Sequence, residues 1–360
     1  GWNRILVGLF CRLELRRNYM KAFELTEEQR NDLYFKNFDG TIKIDGFVFS
    51  DYKGNTTMRI SNTQEERPKR RTERTIEEHV KFINENNVER VDVFTESIEF
   101  LKECPGIKAA SVYVPLCVEK EFDFSPLYEM ENLEAVDCGA ESLAGAPRVN
   151  KFFVDFTKMK HIKQIKISLN DFRSGTGFQK VKDLELLKIF DCNKEDLREY
   201  FCSEKMKYLM IYDSRLRNLD HIETAPNLKW VQLEELKRLE DISALEHIAE
   251  SVEALCISGC PKVKDFSVLE KLVNLRHLEL TGRNEIPSLS FLNQMPQIQT
   301  FLFSMNVLDG DLTPCMKIPY VYCERNRKHY NLKNKDLPRT VEEYYGWGYK
   351  FELPSEYMLY

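Results

Sequence analysis

The sequence predicts an α/β repeat solenoid, in which short units stack so that their strands form one parallel sheet on the inner, concave side. Three observations predict it. The pattern apolar-x-x-apolar-x-apolar occurs eleven times between Val88 and Cys323. Its clearest copies start at residues 162, 184, 206, 228, 252, 275 and 298, in steps of 22 to 24 residues. Short Asp-led segments lie between copies. A fixed period of this length is typical of solenoids.

The central part of each unit alternates apolar and other residues, as a strand with one buried face does. One such strand cannot bury its apolar side chains alone, so neighbouring units must pair about 4.8 Å apart. The rest of each unit is short, as in residues 123–127, 241–245 and 265–269, and begins with Asp, which suits a helix N-terminus. The sequence therefore predicts short helical or 3₁₀ turns on the convex side.

These residues resemble the leucine-rich repeat family, in its short subclass of about 22 residues per repeat, which includes bacterial internalin-like proteins and phosphatase regulatory subunits. The resemblance covers residues 88–325 and implies a horseshoe-shaped solenoid. The family pattern also places Asn or Cys eight residues after each start. Cys260 and Asn306 fit, whereas the unit that starts at Leu275 has Arg283 there. Because the family binds many unrelated partners, the resemblance implies a binding role without naming a partner.

The two ends of the chain do not repeat, and we interpret them as caps, because an open solenoid end exposes its core. Thr41 to Ser50 alternates around Asp45-Gly46, which predicts a hairpin. Thr75 and Glu78 have the spacing of a capping box and predict a helix start. The predicted organisation is an upstream or disordered extension (1–19), an N-terminal cap (20–87), the solenoid (88–325) and a C-terminal cap (326–360) whose aromatic cluster at 344–351 covers the last repeat.

The composition argues against several classes of protein: nucleic-acid-binding, membrane-spanning, and disulfide- or metal-dependent ones. The net charge is −6 with acids and bases intermixed, which argues against a nucleic-acid surface. No apolar run approaches the length of a membrane span, so no membrane insertion is expected. The ten cysteines contain no CxxC pair, and several replace apolar core residues, so we expect free thiols, no metal site and a cytoplasmic, reducing location.

The common catalytic and nucleotide-binding motifs are absent, so we expect neither a cofactor nor an enzyme. The one candidate for acid–base chemistry is His277 with Glu279, on the outward side of a predicted strand. A solvated surface pair is the commoner arrangement for two such residues. An enzyme using this pair remains the rival class of function.

The outward positions of each strand lie two, four and six residues after the unit start, because side chains alternate between the faces of a sheet. In three neighbouring units these positions are mostly aromatic or large and apolar, with Lys188 among them and Tyr113 more distant. The predicted partner-binding residues are Leu186, Phe190, Tyr208, Met210, Tyr212, Trp230, Gln232, Glu234, Tyr320 and Tyr322. Leu302 and Met305 join the last two in a second patch, and Asp191, Asp213 and Glu235 form an acidic edge.

Exposed aromatic residues rimmed by charge are typical of protein interfaces. The sequence therefore predicts a non-enzymatic module that binds a protein partner on its concave face. A toxin-neutralising, immunity-type protein is an alternative within the same class. Two other interpretations remain: a terminal segment that covers these residues, or a one-residue shift of register, which would exchange core and surface.

Overall fold

The computed structural model of the chain describes residues 22–36, 40–52, 54–63, 68–115, 121–140, 153–168, 175–191, 194–198, 200 and 203–340. The expected extension at 1–19 and the aromatic cluster at 344–351 lie outside the described residues. The predicted leucine-rich-repeat solenoid is confirmed, because the described part forms one long sheet of fourteen strands in a single order along the chain.

The repeats supply eleven parallel strands of this sheet, one for each predicted unit. Two two-stranded sheets, β7 with β9 and β15 with β17, lie beside it. The strands are β1 (Ile42–Ile44), β2 (Phe47–Tyr52), β3 (Asn55–Ser61), β4 (Arg90–Phe94), β5 (Ala109–Val114), β6 (Ala135–Ala140), β7 (Val154–Asp155), β8 (Gln164–Ser168), β9 (Gly175–Thr176), β10 (Leu186–Phe190), β11 (Tyr208–Tyr212), β12 (Trp230–Glu234), β13 (Ala254–Ser258), β14 (His277–Thr281), β15 (Glu285–Ile286), β16 (Thr300–Phe303), β17 (Asn306–Val307) and β18 (Tyr320–Cys323).

The N-terminal segment joins the sheet instead of standing apart from it. The predicted hairpin is present, with β1 and β2 antiparallel around Asp45 and Gly46, which both adopt positive φ. After a second antiparallel pairing, β3 runs parallel to β4 and so continues the sheet of the repeats. Helix α1 spans Glu27–Lys36. Helix α2 spans Ile76–Asn86 and begins with the predicted capping box, in which Thr75 and Glu78 bond each other's backbone.

The convex side consists of short 3₁₀ turns, as predicted. In several units an Asp carboxylate accepts a hydrogen bond from the backbone N–H two residues ahead; for Asp123, Asp241 and Asp265 the N–O distance is 2.8 Å. This bond fixes the start of the turn that follows. The 3₁₀ segments are Pro68–Arg70, Glu99–Glu103, Ser125–Glu129, Phe156–Lys158, Phe178–Lys180, Ile222–Thr224, Ser243–Ile248, Ser267–Lys271, Ser290–Gln294, Thr313–Lys317 and Asn334–Asp336.

The main core lies between the sheet and these turns and runs the length of the described chain. At its C-terminal end, residues 338–340 pair with the last strand: the backbone N–H of Val321 donates to the carbonyl of Pro338, and that of Thr340 donates to Pro319. Buried Tyr330 donates its hydroxyl to the carbonyl of Met305. The residues after the last repeat thus cover part of the open end. Among the described residues, no helix is long and apolar enough to cross a membrane.

Candidate functional site

The pairing register aligns the predicted partner-binding residues in columns across β10, β11 and β12. One column holds Leu186, Tyr208 and Trp230, the next Lys188, Met210 and Gln232, and the third Phe190, Tyr212 and Glu234. Leu187 and Ile189, the residues between them on β10, are fully buried in the main core. Leu186 and Tyr208 form a separate apolar cluster with Trp230. The predicted register is therefore confirmed, and the three columns lie on the face opposite the core.

The exposure expected for several of these residues is wrong. Leu186 is 0% exposed, Met210 3%, Tyr208 6% and Tyr320 4%. The reason is their spacing, because strands about 4.8 Å apart bring large side chains of one column into contact. The ring of Tyr208, for example, meets the ring of Trp230 edge-on at a centroid distance of 6.4 Å. Leu186, Tyr208 and Trp230 pack together as a second, smaller apolar layer on the concave face.

Five of the predicted residues on β10 to β12 stay partly exposed, namely Phe190, Tyr212, Trp230, Gln232 and Glu234. We call Phe190, Tyr212 and Trp230 the concave aromatic surface. The rings of Phe190 and Tyr212 are stacked, with centroids 4.7 Å apart and an interplanar angle of 12°. The Gln232 side chain donates a hydrogen bond to the Glu234 carboxylate. An apolar surface of rigid rings therefore lies directly beside an acidic group.

Lys188 lies on the same face as these rings, and its amine is placed against both of the stacked rings. Its Nζ is 5.5 Å from the ring centroid of Phe190 and 5.3 Å from that of Tyr212. Burial lowers the pKa of Lys188 to about 8, and the neighbouring charge of Lys166 adds to this effect. The sequence placed Lys188 on this face, but Lys188 was not among the predicted partner-binding residues.

The column of Lys188 continues to a charged network on β5, β6 and β8. Asp137 accepts hydrogen bonds from the Tyr113 hydroxyl at 2.8 Å and from the Lys166 ammonium at 2.5 Å. Burial raises the pKa of Tyr113, and the Asp137 charge adds to it. Gly139 makes room for this network, because a Cβ there would lie 2.9 Å from the Tyr113 ring. Tyr113, Asp137 and Lys166 are far apart in the sequence, and the repeat pattern alone gave no signal that they form a network.

The other side of the aromatic surface is acidic. Burial raises the pKa of Glu279, and the charge of Glu234 contributes to the shift. The pKa of the Cys256 thiol, which lies beside Glu279 in the sheet register, is raised well above its usual value by burial and then by the Glu279 charge. At the strand ends Asp191, Asp213 and Glu235 adopt positive φ and form the predicted acidic edge. The Lys188 ammonium therefore lies on one side of the aromatic surface, and the carboxylates of Glu234 and Glu279 lie on the other.

His277 is not the solvated surface residue that the sequence predicted. It is 5% exposed, and its Nδ1 lies 2.6 Å from the Thr300 hydroxyl. Burial lowers the pKa of His277 to about 4, so the imidazole is neutral near pH 7. Glu279 is two residues away on the same face and is partly buried. The described residues contain no group of three or more His, Cys, Asp or Glu side chains placed to hold a metal ion.

The second predicted patch is smaller than expected. Met305 is fully buried in the main core, because the chain leaves the strand after Phe303 and the alternation ends there. Tyr320 and Leu302 are buried, on the concave side. Tyr322 stays partly exposed, with the Arg339 guanidinium 5.4 Å from its ring centroid. Of the four residues predicted for this patch, Tyr322 alone is partly exposed, and Arg339 lies over its ring.

No protein-family model matches the chain, and no curated protein matches it. Several solved leucine-rich-repeat structures resemble it. An internalin from Listeria monocytogenes is 12% identical with a TM-score of 0.42, over 66% of this chain and 74% of that one. The Drosophila Toll–Spatzle complex gives 12% identity and a TM-score of 0.49, over 82% of this chain and 42% of that one. A leucine-rich-repeat protein from Leptospira interrogans is 9% identical with a TM-score of 0.34, over 68% of this chain and 81% of that one. At these identities the likeness concerns the fold alone.

Proposed function

We propose that this chain is a non-enzymatic protein-interaction module that binds a protein partner on its concave face, at the concave aromatic surface. The observation that carries the proposal is the stacked pair Phe190 and Tyr212, which stays partly exposed on the face opposite the core. Aromatic residues held rigidly on a surface bury a large apolar area at low entropic cost when a partner binds. The surrounding charges of both signs would orient that partner.

The rival class of function, an enzyme at His277 and Glu279, receives less support from the same residues. The imidazole is buried and bonded to Thr300. The nearby Cys256 thiol is buried and has a raised pKa, so it is protonated and a poor nucleophile. A general base must reach a substrate proton within hydrogen-bonding distance, and a side chain that is 5% exposed offers little access. We therefore propose binding as the function of this face.

The test is a comparison of protein capture from extracts of the native host. Wild-type protein, the double variant Phe190→Ala/Tyr212→Ala and the control Phe153→Ala are immobilised at equal amounts. Phe153 is 43% exposed and precedes β7, outside the main sheet, so its loss removes an exposed ring elsewhere. We expect wild type and control to retain the same protein and the double variant to lose it. Equal retention by all three folded proteins would refute binding at this surface.

We also propose a cytoplasmic location and a place in the short-repeat, internalin-like subclass. The six cysteines within the described residues, Cys104, Cys138, Cys256, Cys260, Cys315 and Cys323, are all free and buried, which supports a reducing compartment. The repeat steps of 22 to 24 residues support the subclass. Thiol counting in freshly lysed native cells tests the location, and a disulfide-linked pair would contradict it.

A further inference from the structure

Lys188 is a cation on an apolar face. Its aliphatic stem lies in the column between Lys166 and Met210, and its Nζ lies against the rings of Phe190 and Tyr212. Among the residues that the structure describes, no carboxylate lies within ion-pairing distance of Lys188. Asp137 and Glu234 act on its charge only from further away. This partly buried ammonium has lost water without gaining a counter-ion from any residue that the structure describes.

The neighbouring lysine, Lys166, is a similarly placed charge that has a carboxylate partner within the chain. Lys166 occupies the same column on β8, and its ammonium lies 2.5 Å from the Asp137 carboxylate. A buried charge is costly unless it is paired and hydrogen-bonded. Lys166 meets that requirement through Asp137, whereas Lys188, one strand further along, finds no carboxylate within ion-pairing distance among the described residues. The missing group of opposite charge is therefore expected from a bound molecule.

We propose that the concave face binds a protein segment that places an Asp or Glu carboxylate on the Lys188 ammonium and an adjacent apolar side chain on the Phe190–Tyr212 ring stack. This inference rests on the proposed function and specifies its partner. Binding would supply the counter-ion in a site that the rings shield from water, where a charge-assisted hydrogen bond is stronger than on an open surface.

The surrounding charges favour a single carboxylate over a polyanion. Of the two lysines described in this column, Lys166 is neutralised by Asp137, which leaves Lys188 as the one without a described carboxylate partner. On the other side Glu234 lies two strands away, in the column next to that of Lys188. A chain of phosphates crossing this face would therefore meet a carboxylate after one favourable contact. One acidic side chain with an apolar neighbour fits both the charge and the rings.

The test begins with a random peptide library displayed on phage and selected on the full-length protein. Selected sequences are synthesised in pairs, with Asp or Glu in one peptide and Asn or Gln in the other. We expect the acidic peptide to bind wild type at least tenfold more tightly than its amide partner. Lys188→Met keeps the length of the side chain without its charge and should abolish that preference. Lys262→Met, which removes a lysine after β13 that pairs with Glu240, should keep it.

Lysine side-chain NMR gives a second readout that does not depend on affinity. The pKa of Lys188 should rise by at least one unit when the acidic peptide is bound and should not change with the amide peptide. A full-length variant with Glu342→Gln and Glu343→Gln tests whether the chain's own C-terminal segment supplies the carboxylate. In this variant the pKa of Lys188 should equal the wild-type value, and a fall would overturn the proposal by identifying an internal occupant.

Failure of this inference is distinguishable from failure of the proposed function. If selected peptides or the native partner need Phe190 and Tyr212 but tolerate Lys188→Met and amide substitution, the carboxylate inference is wrong and the binding surface stands. If binding of the selected peptides and binding of the native partner are both unchanged without Phe190 and Tyr212, the proposed function itself is wrong. Selected peptides without a recurring acidic residue would also overturn the inference.

Discussion

Tyr212 stacks on Phe190 because the two are register partners, the last residues of β11 and β10. Each ring restricts the other, so the pair loses little further side-chain freedom when a partner binds. This relationship separates them from the residues at the opposite end of the same strands, Leu186 and Tyr208, which are buried. The pair β10 and β11 therefore has a buried packing contact at one end, Leu186 with Tyr208, and a candidate binding contact at the other, Phe190 with Tyr212.

Removing either stacked ring should weaken partner binding with little loss of stability. For Phe190→Ala or Tyr212→Ala we expect a loss of about 2 kcal/mol in binding free energy, the size seen for central aromatic residues of interfaces. Tyr212→Phe keeps the stack and serves as the conservative control. Calorimetric titration with the captured partner measures the effect, and thermal unfolding checks the fold. Unchanged affinity in the folded alanine variants would contradict the prediction.

Tyr208→Ala should behave in the opposite way. Its ring is 6% exposed and packs between Leu186 and Trp230, so its loss leaves a gap in the apolar layer on the concave face. We expect the free energy of unfolding to fall by about 2 to 4 kcal/mol, as for other large-to-small changes at buried sites. Chemical denaturation measures it. A variant as stable as the wild type would show that this layer does not contribute to stability.

The contrast between Tyr208 and Tyr212 also shows what the sequence could not predict. Both occupy outward positions of the same alternating strand, and the repeat predicted their face correctly. Exposure depends on the side chains of neighbouring strands, since Tyr208 adjoins Leu186 and Trp230, whereas Tyr212 adjoins Phe190 and the smaller Glu234. Alternation along one strand contains no information about crowding across strands.

A second case concerns the bends that follow the strands. The unit that starts at Leu275 has Arg283 where the family spacing calls for Asn or Cys. One residue later, the side chain of buried Asn284 donates hydrogen bonds to the carbonyls of Cys260 and Val263, each at 2.8 Å. Gly282, which precedes Arg283, has a φ of 139°, a conformation that favours glycine. Asn306, which fitted the spacing, is only partly buried. A fixed pattern predicts the period well and cannot predict such a local shift.

Breaking the Asp137–Lys166 pair should be costly. Asp137 is 5% exposed, and Asp137→Asn would leave the Lys166 ammonium without its carboxylate in a partly buried position. We expect a loss of about 2 to 4 kcal/mol in the free energy of unfolding. Adding Lys166→Met should recover part of it, because the unpaired charge is then removed. Asp183→Asn, which breaks an exposed ion pair with Lys205, is the control and should change stability little. Equal effects of the two Asp→Asn changes would contradict this account.

His277 should make the fold sensitive to mild acid. Its pKa is about 4 in the folded chain and 6.5 when unfolded, so between these values only the unfolded chain binds the proton. The contribution of His277 to the free energy of unfolding is fully present above pH 6.5 and falls as the pH drops toward 4, by up to about 3 kcal/mol.

The variant His277→Gln tests this, because it retains a polar group for the Thr300 hydroxyl and does not titrate. Its free energy of unfolding should therefore depend less steeply on pH over this range, as measured by denaturation at half-unit steps. Glu279 is present in both proteins, so the difference between the two curves isolates the imidazole. Parallel curves from pH 4 to 6.5 would show that His277 accepts a proton in the folded state, and that its burial does not hold it neutral.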